Sequence, residues 1–96
     1  MGIDPGSRVV GFAVLESLKI RPLNPKDWQV SDAGVIRISG ELTMPERLTL
    51  IHETMSALIV EIKPTQVAIE KAFHGINASS GLKLGEARGA LISAVG

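Results

Sequence analysis

Apolar and polar positions change their spacing several times along the chain, and each change marks an element. Residues 1–4 (Met1-Gly-Ile-Asp4) form a stub of strand that stops at the turn Asp4-Pro-Gly6. Residues 8–18, Arg-Val-Val-Gly-Phe-Ala-Val-Leu-Glu-Ser-Leu, are rich in branched side chains and predict a second strand, folded back on the first as a hairpin. Strands usually run about five or six residues. The first is short for a central strand, so the chain is expected to begin inside it. Lys19 to Asp32 carries Pro22, Asn24, Pro25 and Asp27 and reads as a surface loop. Trp28 could open the next strand, whose body is Ala33–Ile38 and whose end is Ser39-Gly40.

The period then becomes helical. Leu48, Ile51, Met55, Leu58, Ile59 and Ile62 recur at spacings of three and four and share one helix face. Thr43 is the expected N-cap, with Pro45 and Glu46 in the first turn, and Pro64 is the expected stop. Val67, Ala68 and Ile69 make a short, wholly apolar strand, the pattern of one covered on both faces. A second helix follows, capped by Asn77, Ser79 or Ser80. It carries Gly81, Gly85 and Gly89 at intervals of four. Glycine costs about 1 kcal/mol against alanine inside a helix. Three in one row suggest the close approach of another backbone: a neighbouring helix, a second subunit or a nucleic-acid strand.

The order strand, strand, strand, helix, strand, helix predicts an α/β fold with a mixed sheet: a hairpin meander, then a crossover helix to a further strand. With 96 residues, the chain fits a single domain, 1–96. It has no cysteine, which excludes a disulfide framework. No stretch has the continuous apolar length of a membrane span, and no charged start leads into an apolar run, so the expected location is the cytoplasm. The net charge is zero, which does not advertise nucleic-acid binding. Charge is nonetheless segregated, with Lys71, His74, Lys83 and Arg88 gathered in the last third, where a solvated helix face would look the same.

Two acids change that picture. Asp4 closes Met1-Gly-Ile-Asp4 and Glu70 closes Gln66-Val-Ala-Ile-Glu70. An apolar strand that ends in an acid carries charge to the rim of the sheet. Two such strands side by side would set two carboxylates at one spot, where they repel unless a cation lies between them. The pair reads first as a divalent-metal site. Each acid also has a plainer role available: Asp before Pro-Gly caps turns, and Glu70 can face solvent or pair with Lys71. No nucleophile–histidine constellation supports acyl transfer, and His52, within the amphipathic helix, reads as structural.

Gly2-Ile-Asp-Pro-Gly-Ser-Arg8 with Gly11 resembles the start of the RuvC-type Holliday-junction resolvases. Ala68-Ile-Glu-Lys-Ala-Phe73, followed by Asn77-Ala-Ser-Ser-Gly-Leu-Lys-Leu-Gly-Glu-Ala-Arg-Gly89, resembles their second signature and is the more specific block. The resemblance spans nearly the whole chain apart from the Lys19–Asp32 loop, which looks longer than usual. It implies an RNase H-like mixed sheet with flanking helices, here truncated after the second helix. It implies a magnesium-dependent endonuclease, with two Mg2+ per complete active site, that works as a homodimer on four-way junction DNA in recombination and repair, in concert with a branch-migration helicase complex. Asp4 and Glu70 match the first two catalytic, metal-binding acids. Phe73 matches an aromatic that contacts junction bases, and Asn77, Lys83 and Arg88 match positions lining the DNA-binding and dimer-forming region.

Three departures accompany the resemblance. Only Met1 precedes Gly-Ile-Asp, and Ile76 stands where a basic residue is common. The family also has a further strand and C-terminal helices that bring its remaining metal-site acids. The chain is therefore expected to be an incomplete portion, inactive alone. Two other readings carry different consequences: a non-catalytic DNA-binding module of the same fold, and an actin-like phosphotransfer domain suggested by the Asp-Pro-Gly turn.

Overall fold

The computed structural model describes residues 1–21, 24–71 and 78–96, with only the backbone described for 78–80. Four strands and two helices follow in the anticipated order: β1 (Gly2–Asp4), β2 (Val9–Ser17), β3 (Trp28–Arg37), α1 (Met44–Ile62), β4 (Ala68–Ile69) and α2 (Ala78–Val95). The sheet runs β3-β2-β1-β4. Strand β1 pairs antiparallel with β2 and parallel with β4, which makes the sheet mixed. Short as it is, β1 holds a central place.

One face of this sheet carries the core. Ile3, Val10 and Ile36 are buried there beneath Ile51 and Met55 of α1 and Ala87 and Leu91 of α2. Successive strand residues point to opposite faces. Gly2, Asp4, Val9, Gly11, Ala13 and Val35 consequently face away from the helices. Two layers, sheet and helices, form a slab with extents of 43 × 30 × 21 Å.

The expected loop of Lys19–Asp32 is shorter than its composition suggested. Strand β3 begins at Trp28, the residue offered as its start, so Trp28–Asp32 is ladder rather than loop. A single 3-10 turn at Pro25–Asp27 sets up that start. The Asp27 carboxylate is buried, accepts from the Asn24 amide at 3.1 Å and pairs with Lys19 Nζ at 3.3 Å. Proline and asparagine there make a turn before the strand instead of breaking it. A register shift between Val14 and Leu15 then bends the hairpin.

Helix α1 starts as its sequence dictates. Thr43 Oγ1 accepts from the Glu46 amide at 3.3 Å, and Glu46 Oε1 accepts from the Thr43 amide at 2.9 Å, a reciprocal capping box. Its end is the one that Pro64 dictates. The helix closes at Ile62, and Lys63 caps it in the left-handed conformation (φ 54°), donating its amide to Ile59 O. Helix α2 already includes Ala78, which places Ser79 and Ser80 inside it and removes both as caps. Asn77 lies outside the described residues.

Among the described residues, neither the glycine stripe nor the outer face of β4 is covered. A methyl group built on Gly81, Gly85 or Gly89 would meet nothing within 4 Å, so no backbone among the described residues approaches that stripe. Strand β4 was expected to be covered on both faces, yet Ala68 is exposed and Ile69 half-buried. Among the described residues, the apolar run of β4 is covered by helices on one side alone.

Candidate metal centre at the strand ends

Strand pairing decides where the two acids meet. In the parallel ladder, Gly2 faces Ala68 and Ile3 faces Ile69. The next step is Asp4 beside Glu70, and the Glu70 amide donates to Ile3 O at 3.0 Å to hold it. Neighbouring strands lie about 4.8 Å apart. Both side chains belong to the face turned away from the helices, and both are exposed. They sit at one end of an open concavity of about 700 Å³ whose lining also includes Gly2, Gly11, Ala13 and Ala33.

Small residues make that concavity. Gly11 is the register partner of Asp4, and a methyl group at Gly11 would sit 3.7 Å from Asp4 Cβ. A methyl group there would thus rest in ordinary contact with the Asp4 side chain. Gly6 fixes the turn behind Asp4, because a methyl group there would overlap the Val9 carbonyl oxygen. Two arginines brace the neighbouring connection. Arg8 Nε donates to Ile38 O at 3.2 Å, while Arg47 donates to Gly40 O at 2.8 Å and to Leu42 O at 3.0 Å.

Arg88 plays a part that sequence did not disclose. It is half-buried, and its Nε donates to the main-chain oxygen of Glu70 at 3.2 Å. Helix α2 thus steadies the strand end that carries the second acid. Lys83 lies exposed on the same helix. Phe73, His74, Ile76 and Asn77 lie outside the described residues. His52 is structural, as its sequence position suggested: its Nδ1 stands 2.8 Å from Ser93 Oγ, linking α1 to α2.

Among the described residues, no cluster of three or more His, Cys, Asp or Glu could hold an ion. Two adjacent carboxylates nonetheless fit magnesium, which takes one or two carboxylates and keeps several waters. No helix among the described residues is long and apolar enough to cross a membrane.

A mixed four-stranded sheet under two helices, with paired acids at the ends of β1 and β4, defines an RNase H-like α/β domain. The profile of the family "Crossover junction endodeoxyribonuclease RuvC" matches residues 1–96. The chain is 40% identical over 92 residues to the crossover junction endodeoxyribonuclease RuvC of Chloroherpeton thalassium, covering 96% of this chain and 46% of that protein. It is 44% identical over 98 residues to the RuvC of Idiomarina loihiensis, covering 98% of this chain and 52% of that protein. Among solved structures, it resembles T. thermophilus RuvC in complex with a Holliday junction substrate, with a TM-score of 0.80 and 26% identity, over 98% of this chain and 55% of that one. The chain belongs to the RuvC family. It spans about half the length of these relatives and corresponds to their N-terminal portion.

Proposed function

We propose that this chain is the metal-binding, DNA-facing part of a magnesium-dependent endonuclease that resolves four-way DNA junctions in recombination and repair. The observation that carries the reading is the juxtaposition of Asp4 and Glu70, adjacent in register and exposed at one rim. Their family supplies the substrate class, and the T. thermophilus neighbour is bound to a Holliday junction substrate.

Asp4 and Glu70 would hold magnesium, which when bound activates water and stabilises the leaving oxygen in phosphodiester hydrolysis. The chain's own residues do the positioning. Both acids stand at the ends of hydrogen-bonded strands, where small displacements are resisted, and geometry of that kind protects rate. Arg88 holds the Glu70 main chain through its oxygen. Lys83, exposed on α2, is placed to meet phosphate. Phe73 and Asn77 are assigned to DNA contact by the family's motif. Two carboxylates suffice for one ion, and a second ion needs acids from outside this chain. The chain alone is therefore expected to bind metal weakly and to cut poorly or not at all. A homodimer, a branch-migration helicase as partner, and a cytoplasmic location complete the reading.

The test is a magnesium titration of junction binding and cleavage by the chain and by its Asp4→Asn and Glu70→Gln variants. Metal-dependent binding that weakens at least tenfold in either variant supports the reading. Metal-independent binding, equal in all three proteins, would favour a non-catalytic DNA-binding module. Robust turnover by the chain alone would refute the expectation of an incomplete centre.

A further inference from the structure

The proline of the Asp4-Pro-Gly turn leaves a gap in the ladder between β1 and β4. That ladder is regular up to the turn. The amino terminus of Met1 donates to Gln66 O at 2.8 Å, the Ala68 amide to Met1 O at 2.8 Å and the Glu70 amide to Ile3 O at 3.0 Å. Parallel strands space such bonds evenly, each strand donating from every second residue. The next donor, aimed at Glu70 O, would be the amide of residue 5. That residue is Pro5, which has no N–H to give. The carbonyl of the second acid is therefore left without its ladder partner.

Arg88 fills that gap from helix α2. Its Nε donates to Glu70 O at 3.2 Å. The helix is anchored on either side of it, because Ala87 and Leu91 are fully buried in the core. Glu70 then has both flanking peptides held, its amide by Ile3 O and its carbonyl by Arg88 Nε. A residue has only two soft backbone angles, and holding both neighbouring peptide planes sets them. The direction of the Glu70 side chain is set with them. This matters because β4 is only Ala68 and Ile69, so Glu70 hangs at its very end. The same proline acts oppositely on Asp4, since the residue before a proline is confined to extended backbone. Pro5 stiffens one acid and costs the other its rung.

We propose that Arg88 is a positioning residue for the second acid: it replaces the main-chain donor that Pro5 lacks and so holds the Glu70 carboxylate beside Asp4. The family's motif sets Arg88 among residues lining the DNA-binding region. Its half-buried side chain is instead engaged by the protein's own main chain. Arginine suits the task, because the guanidinium is planar and permanently charged. A lysine ammonium on its flexible stem would hold one carbonyl less firmly. The consequence for metal binding rests on the metal reading of Asp4 and Glu70, whereas the hold on Glu70 does not. Small displacements of a ligand weaken a site, so loss of Arg88 should lower magnesium affinity without removing any carboxylate.

A double-mutant cycle on the full chain tests it, combining Arg88→Met with Pro5→Ala. Pro5→Ala returns an amide to the ladder and should make Arg88 redundant. The first readout, by NMR in EDTA and without DNA, is hydrogen exchange at the Glu70 amide. Arg88→Met should speed it at least tenfold in the parent and less than threefold in the Pro5→Ala background. The second is Mg2+ affinity, followed at the Asp4 and Glu70 amides. Arg88→Met should weaken it at least fivefold in the parent and less than twofold beside Pro5→Ala, with Arg88→Lys falling between parent and Arg88→Met. If Arg88→Met loses the parent's circular dichroism, the parent decides alone: its Arg88 Nε proton should exchange at least tenfold more slowly than that of exposed Arg37. Equal losses in both backgrounds overturn the proposal, as does an Arg88 Nε proton no better protected than that of Arg37. So does an Arg88→Met variant unchanged in both readouts that loses junction binding in EDTA, the mark of a phosphate contact. Exchange that follows the cycle in a parent that binds no Mg2+ would keep the hold of Arg88 on Glu70 and remove the metal reading, so the two fail separately.

Discussion

At the scale of single residues, two glycines near the candidate site look alike in sequence and differ in consequence. A methyl group at Gly6 would overlap the Val9 carbonyl oxygen, part of the backbone that enters β2. A methyl group at Gly40 would meet the Arg8 guanidinium, the mobile end of a long side chain. Backbone cannot yield cheaply, whereas a guanidinium can. Gly6→Ala should cost roughly 2 kcal/mol of stability and Gly40→Ala under about 1 kcal/mol. Urea unfolding of both variants checks the order, and an equal loss would show that the Arg8 anchor on Ile38 is as rigid as the turn. Glu46 gives a pH prediction. The Thr43 amide and then its hydroxyl hold the Glu46 carboxyl below its ordinary range. A depressed folded value stabilises the protein at neutral pH, and that contribution disappears as pH falls through the folded value. Glu46→Gln keeps the shape and the acceptor but cannot titrate. Its melting temperature should fall below that of the parent at pH 7, and the gap should close on acidification below the ordinary carboxylate range.

At the scale of elements, α1 was legible because every signal agreed: the capping box, the apolar face and a stop near Pro64. Met55 and Ile51 are fully buried at the centre of that face. Met55→Ala should cost about 2–5 kcal/mol, read as a lower midpoint in urea, while substitution of exposed Val60 should change little. Strand β3 was less legible. Trp28 was legible as a possible start, but the cluster of proline, asparagine and aspartate before it and Asp32 after it blurred the first half of the strand, which the long-range ladder with β2 makes regular. The caps at Ser79 and Ser80 failed because a serine favours a helix start without fixing which residue it is, and α2 already includes Ala78. The two acids could be read because each closes an apolar run. The role of Arg88 could not, since its bond to Glu70 joins residues 18 apart through a fold that sequence does not display. The glycine stripe shows the same limit, because a stripe announces room for an approach but does not name what approaches.

The whole molecule is a two-layer slab, and its stability is asymmetric. The helix-side face of the sheet shares a core with α1 and α2, while the other face meets water with valines and leucines. Exposed apolar patches of this kind bind partners, dyes or copies of themselves. The free chain should therefore enhance the fluorescence of an anilinonaphthalene sulfonate dye under conditions where its circular dichroism is fully native. A Leu15→Thr, Val35→Thr double variant removes apolar surface from the bare face while placing β-branched residues suited to strands at both positions. Its dye signal should fall by at least half with a melting temperature within a few degrees of the parent. A Val60→Gln variant, altered on the helix layer, should retain the signal. If the sheet variant keeps the parent's fluorescence, the dye is reporting a loosened core between sheet and helices. In that case the bare face cannot be the surface that leaves the slab open to a partner.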